Sequence, residues 1–184
     1  MRTVLCLLCV LLSALTVIAQ NMTIHMRDGR TNTYPLNDIE KITYDMPQRS
    51  TPRNIAGDAR IDASTVLGPD YSTRFACDGS LQTGWLAKCS DNEWIRFSWS
   101  EPVTITRVVV VNRPQFGGSY DPILSSCLEF ENGTTISLDP MNTYLSRAEA
   151  RVHGIKTRWM RFKTLRGNGC SSNGGVAEIE IYGY

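Results

Sequence analysis

The densest run of chemically capable residues is Arg74 to Trp99, RFACDGSLQTGWLAKCSDNEWIRFSW, which holds an Asp78-Gly79 turn, the Thr83 hydroxyl, Trp85, two cysteines and an alternating strand. A second run, VAEIEIYGY, closes the chain and carries Glu178 near its start. Taken singly, Asp78-Gly79 reads as a turn and Glu178 as a solvent-facing residue of an edge strand. Taken together they offer hard oxygen donors from both ends of one domain, the kind of oxygen that calcium prefers. A third run, RPQFGGSYDP, opens on Arg113, whose guanidinium can reach a ligand or brace the loop by pairing with Asp121. Catalytic machinery is not legible: no G-x-S-x-G and no H-E-x-x-H occurs, and His25 and His153 lie far apart. A glycosidase acid and nucleophile would have to come from two of the eighteen Asp and Glu residues converging in space.

The elements that must position these residues begin after an apolar leader. MRTVLCLLCVLLSALTVIA combines one Arg, a continuous apolar run and small residues before Ala19, so residues 1–19 read as a secretory signal, with an uncleaved anchor as the lesser reading. Cys6 and Cys9 would leave with it, as would Arg2. The remaining chain would then balance 18 basic against 18 acidic residues, which implies no nucleic-acid partner. No transmembrane segment follows the signal, and the expected destination is outside the cell membrane: periplasm, cell surface or medium. Cys77, Cys89, Cys127 and Cys170 remain, an even number in a compartment that permits disulfides. Three connectivities are possible, and nearness in sequence favours Cys77 with Cys89 and Cys127 with Cys170. A zinc site lacks the spacing it would need.

Residues 20–46 alternate around Asp28-Gly29 and resume at Ile42 and Tyr44, after a helical turn near Leu36 to Lys41: strand, turn, strand, turn, strand. So small a unit must dock on something. Residues 47–53, with Pro47 and Pro52, read as a linker. From residue 54 onward, short alternating strands follow one another at Ala59, Ile95, Ile105, Leu128, Ile136, Met160 and Ile179; no stretch sustains a helical period, and Ser146 to Val152 reads as at most one or two helical turns. Asn132-Gly133 marks a hairpin. The expected class is all-β, a sandwich or barrel.

Asp78-Gly79, Thr83, Trp85, the strand Trp94 to Trp99, Pro102, Ile105, Asn112-Arg113 and Ala177 to Gly183 together resemble the discoidin, or coagulation-factor type C, superfamily, in the flavour of bacterial carbohydrate-binding modules. Residues 54–184 carry the likeness. It implies a galactose-binding-like jelly-roll β-sandwich with the hairpin as an appendage. It also implies a structural calcium ion held by Asp78 and Glu178, by Thr83, and by the carbonyls of Phe75, Ser80 and Ala177. The same likeness places a sugar-binding Arg at Arg113. Phe116 and Tyr120 are the accompanying aromatic candidates, with Tyr71, Asn168 and Asn173 from neighbouring loops. Trp85, Trp94 and Trp159 read as packing residues, and Arg158, Arg161 and Lys163 as a solvated strand face. Ile39 to Tyr44 resembles the leader segments of Bacteroidota secreted proteins.

The expected function is a secreted, non-catalytic module that binds a glycan, galactose-like or another cell-surface or dietary polysaccharide. The competing expectation is an adhesion or assembly protein engaging a protein partner through the N-terminal segment. A glycoside hydrolase ranks third.

Overall fold

Where apolar and polar residues alternate, the chain extends, because a period of two puts one set of side chains on one face. A computed structural model describes residues 21–26, 28–41, 51–115 and 121–184. The expected signal at 1–19, the strand at Ile42 and Tyr44, most of the expected linker, and the rings of Phe116 and Tyr120 lie outside the described residues. No helix among the described residues is long and apolar enough to cross a membrane.

The chain divides into two units, Met1–Arg49 and Ser50–Tyr184. In the first, β1 (Asn21–His25) pairs antiparallel with β2 (Thr31–Pro35), Asn21 opposite Pro35 and His25 opposite Thr31. Gly29, at φ +86°, takes the left-handed conformation that closes the turn. A 3-10 turn follows at Leu36–Asp38. Nearly every side chain of the hairpin is exposed, and two strands with no covered face are marginal on their own.

In the second unit the strands are β3 (Arg53–Asn54), β4 (Arg60–Ala63), β5 (Trp85–Leu86), β6 (Trp94–Asn112), β7 (Ser125–Phe130), β8 (Thr135–Leu138), β9 (Arg147–Arg166) and β10 (Gly175–Gly183). Two of them, β6 and β9, are long enough to serve both layers of a sandwich. The first half of β6 pairs with β4 and with the second half of β9, which continues to β7 and β8. Its second half pairs with the first half of β9 and with β10, which carries β3 and β5. The register between β6 and β9 breaks from Ser98 to Val103, and Pro102, which has no N–H to give a ladder, sits in that gap.

Between the layers, Ile95, Phe97, Leu128, Phe130, Met160 and Phe162 form one cluster with Val108, Val110, Ala148, Ala150, Ile179 and Ile181. Each large side chain buried here contributes about 1.5–3 kcal/mol. Two expectations are corrected. Ser146 to Val152 is not helical: Ala148, Ala150 and Val152 alternate inward as β9 pairs with β6, and that burial outweighs a weak local helical preference. Arg53, expected in the linker, already pairs with Gly183.

Candidate functional site

The acidic loop and the closing strand come together. A 3-10 turn at Thr73–Ala76, capped by the Ser72 hydroxyl, leads into Asp78-Gly79, where Gly79 has φ +80°. Asp78 folds the loop on itself: Oδ1 accepts from the Ser80 N–H (2.9 Å) and Oδ2 from the Thr83 hydroxyl (2.8 Å). The Gly79 N–H donates to Glu178 Oε2 at 3.2 Å, across 99 residues of chain. Gly84 secures the approach, since a Cβ there would lie 2.6 Å from the Val176 carbonyl oxygen.

Glu178 is 4 % exposed. A register shift in the β10–β6 ladder between Val176 and Glu178 leaves Ala177 out of the pairing, and β10 is buried without a break from Gly175 to Ile179, Glu178 included. Burial, with the Asp78 and Glu180 charges adding to it against the Gly79 N–H, pushes its carboxyl up to about 7. Two acidic side chains thus lie close enough for the Asp78 charge to be felt at Glu178. No group of three or more His, Cys, Asp or Glu able to hold a metal occurs among the described residues. Two carboxylates, a hydroxyl and loop carbonyls suit calcium better than zinc.

A second cluster forms where β6, β9 and β10 end in loops. Asn112, buried at the end of β6, donates through Nδ2 to the carbonyls of Met141 and Thr143, both at 3.1 Å, and accepts the Arg113 N–H through Oδ1. The Arg113 guanidinium pairs with Asp121 (Nη2–Oδ2, 2.9 Å) and donates to the Asn173 carbonyl (3.0 Å). Both side chains of the pair are at most 3 % exposed. The direct sugar contact expected of Arg113 needs an open guanidinium; here it is the brace of its loop. Asn173 turns its amide to the carbonyls of Ala87 and Lys88, Tyr71 is half-buried on the Pro69–Tyr71 turn, and Asn168 is exposed.

The cysteine pairing is corrected: Cys89 bonds Cys170. Cys77 is free in the acidic loop and Cys127 is free and buried on β7. Nearness in sequence misleads because the chain between Cys77 and Cys89 crosses β10, carrying Cys89 to the loop at 169–174, where Ser90 N–H meets the Gly169 carbonyl and Gly174 N–H the Cys89 carbonyl. Burial raises both free thiols above their usual range, which makes them poor nucleophiles. Asp91, unremarked in the sequence, binds the same loops, accepting from the N–H groups of Gly167 (2.5 Å) and Gly169 (3.3 Å). Its one sequence signal was its place between a cysteine and a strand.

Trp85 is fully buried and donates to the Thr65 carbonyl, as a packing residue would. Trp94 and Trp159 are part-exposed and lie under arginines instead.

Solved structures share this fold. Chitosan-binding module 1 of a chitosanase/glucanase from Paenibacillus sp. IK-5 aligns at a TM-score of 0.55 with 18% identity, over 71% of this chain and 99% of that one. The family 32 module of C. perfringens NanJ, in complex with galactose, aligns at 0.57 with 12% identity, over 72% and 98%. A fucolectin from striped bass (Morone saxatilis) serum aligns at 0.60 with 16% identity, over 73% of this chain and 50% of that one. The expected galactose-binding-like sandwich is therefore the fold of this chain. No curated protein matches it by sequence. A family model described as a domain of unknown function (DUF7402) matches residues 54–182.

Proposed function

The chain belongs to the DUF7402 family, and from that premise we propose that it is a secreted, non-catalytic carbohydrate-binding module that takes a glycan on the loops at one end of its sandwich. The observation that carries this reading is the fastening of those loops. The Cys89–Cys170 bond, the buried Arg113–Asp121 pair, the Asn112 amide and the Asp91 carboxylate tie four loop segments to one another. A rim fixed before its ligand arrives loses little entropy on binding, and polar loops around a rigid frame suit a sugar. Neighbours of the same fold include a chitosan-binding module, a module in complex with galactose and a fucose-binding module of Streptococcus pneumoniae. Tyr71 and Asn168 are the proposed contacts from the described loops, with Phe116 and Tyr120 from the segment between Gln115 and Asp121. Arg113 and Asn173 serve as supports of their loops, through the Asp121 pair and the Ala87 and Lys88 carbonyls.

Asp78, Thr83 and Glu178, with the carbonyls of Phe75, Ser80 and Ala177, are the proposed calcium ligands. The ion would neutralise two facing carboxylates and lock the acidic loop to the closing strand; it would take no part in chemistry.

The test is a glycan array probed with the purified chain, carrying chito-oligosaccharides, galactosides and fucosides. Binding to one class, weakened in Tyr71→Ala and Asn168→Ala at unchanged Tm, is the expected result. Absence of binding across the array overturns it. One observation favours the adhesion reading: Ile24, Met26, Tyr34 and Leu36 of the hairpin unit are exposed. Truncation of residues 20–53 that abolishes self-association or partner capture while glycan binding is absent would favour it.

A further inference from the structure

The outer face of the layer built on β4, β6, β9 and β7 carries chemistry that neither the loops nor the acidic site uses. Residues directly opposite in an antiparallel ladder share a face, so the registers set out three rungs. Arg60, Ser98 and Trp159 form one; Asp62, Arg96, Arg161 and Glu129 form the next; Trp94, Lys163 and Cys127 form the third. Between them Ile95, Phe97, Met160 and Phe162 point into the core. The Arg96 guanidinium lies over the Trp159 ring, 4.7 Å from its centroid, and that of Arg161 over Trp94 at 5.6 Å.

Some of these charges are matched. Arg161 is held by Glu129, Nε donating to Oε2 at 2.6 Å, and Asp62 is taken by Arg60 at 3.4 Å. Arg96 and Lys163 have no ion pair among the described residues, and the buried Arg96 Nε has no hydrogen-bond acceptor there. Arg96 also stands directly opposite Arg161, an arrangement that costs a sheet stability. Lys163 is diagonal to Arg96, roughly 7 Å away by ordinary sheet geometry.

We infer that this face is a second binding site and that its ligand is an anionic polysaccharide, uronate or sulfated. The indole of Trp159 holds the part-exposed Arg96 guanidinium in place as a fixed positive charge for carboxylate or sulfate oxygens, and Lys163 supplies a point charge beside it. The exposed parts of Trp94 and Trp159 offer apolar surface to sugar C–H groups between acidic substituents. Intermittent cations between rings match a polymer whose charges are spaced by apolar faces. A nucleic-acid backbone, continuous in charge, would meet Asp62 on one side and Glu129 on the other, and a formal net charge of +1 offers it no wider footprint.

The experiment is affinity electrophoresis of the full chain through gels containing polygalacturonate, dextran sulfate or neutral dextran. Retardation by at least one anionic gel, none by dextran, and loss of the effect at about 0.5 M salt is the expected result. The polygalacturonate and dextran sulfate arms distinguish carboxylate from sulfate. R96Q/K163Q should weaken the retardation about tenfold or more, and K163Q alone, at a part-exposed position with no partner to lose, should act in the same direction if R96Q unsettles the sheet. Equal retardation of parent and variants, no retardation in either anionic gel, or complete competition by a DNA duplex overturns the proposal. No residue of the loop end takes part, so array binding to neutral glycans stands or falls separately.

Discussion

Arg113 and Glu178 are both buried charges, but their surroundings assign them opposite behaviour. Arg113 has a carboxylate partner, so Arg113→Ala leaves Asp121 charged and unmatched in the interior and should cost about 3 kcal/mol or more, read by denaturant unfolding. The double variant R113M/D121L should recover much of that loss, which a residue acting only on ligand would not do. Glu178 has no such partner. Its folded value, raised to about 7 from 4.5, means that the folded state keeps a proton the unfolded state has released. The resulting stabilisation is full below about pH 4.5 and is lost as pH rises through 7, up to roughly 3 kcal/mol in total. Thermal unfolding in chelator should therefore fall in Tm across that window, and Glu178→Gln should flatten the slope.

At the scale of elements, the loop end is stabilised by cross-links and the layers by the length of β6 and β9. The Cys89–Cys170 bond closes a segment of 81 residues, worth about 4.5 kcal/mol on the chain-entropy model. Mild reduction, or Cys89→Ser with Cys170→Ser, should lower Tm by on the order of 10 °C. Glycan affinity should fall further than an equally destabilising core change would cause, because the loops at 87–93 and 167–174 lose their common tether. Gly174 is a sharper probe of the same contact: a Cβ there would lie 2.7 Å from Ser90 Cα, so Gly174→Ala should separate the two loops without touching the disulfide.

For the whole molecule, the proposed calcium ion predicts one clear measurement. A ligand bound only by the folded state adds RT ln(1 + [L]/Kd), so millimolar calcium should raise Tm over EDTA, and Asp78→Asn should erase the difference. An identical Tm in both would remove the ion from the account. Much of this molecule was legible in its sequence: alternation at Ile95, Phe97, Ile179 and Ile181 gave an all-β class, Asn132-Gly133 and Asp28-Gly29 marked their turns, and Asp78 was paired in expectation with Glu178. Those features are local, or are carried by a long-range pattern of residue types. What the sequence left open depends on which strand lies beside which. Cys89 reaches Cys170 and not Cys77 because β5 pairs with β10. Arg113 is a brace because Asp121 and the Asn173 carbonyl close over it. Trp94 and Trp159 face outward beneath arginines because the β6–β9 register turns them away from the core. Residue type and spacing determine what a side chain is able to do, while burial and partnership, which are properties of the packed chain, decide what it does.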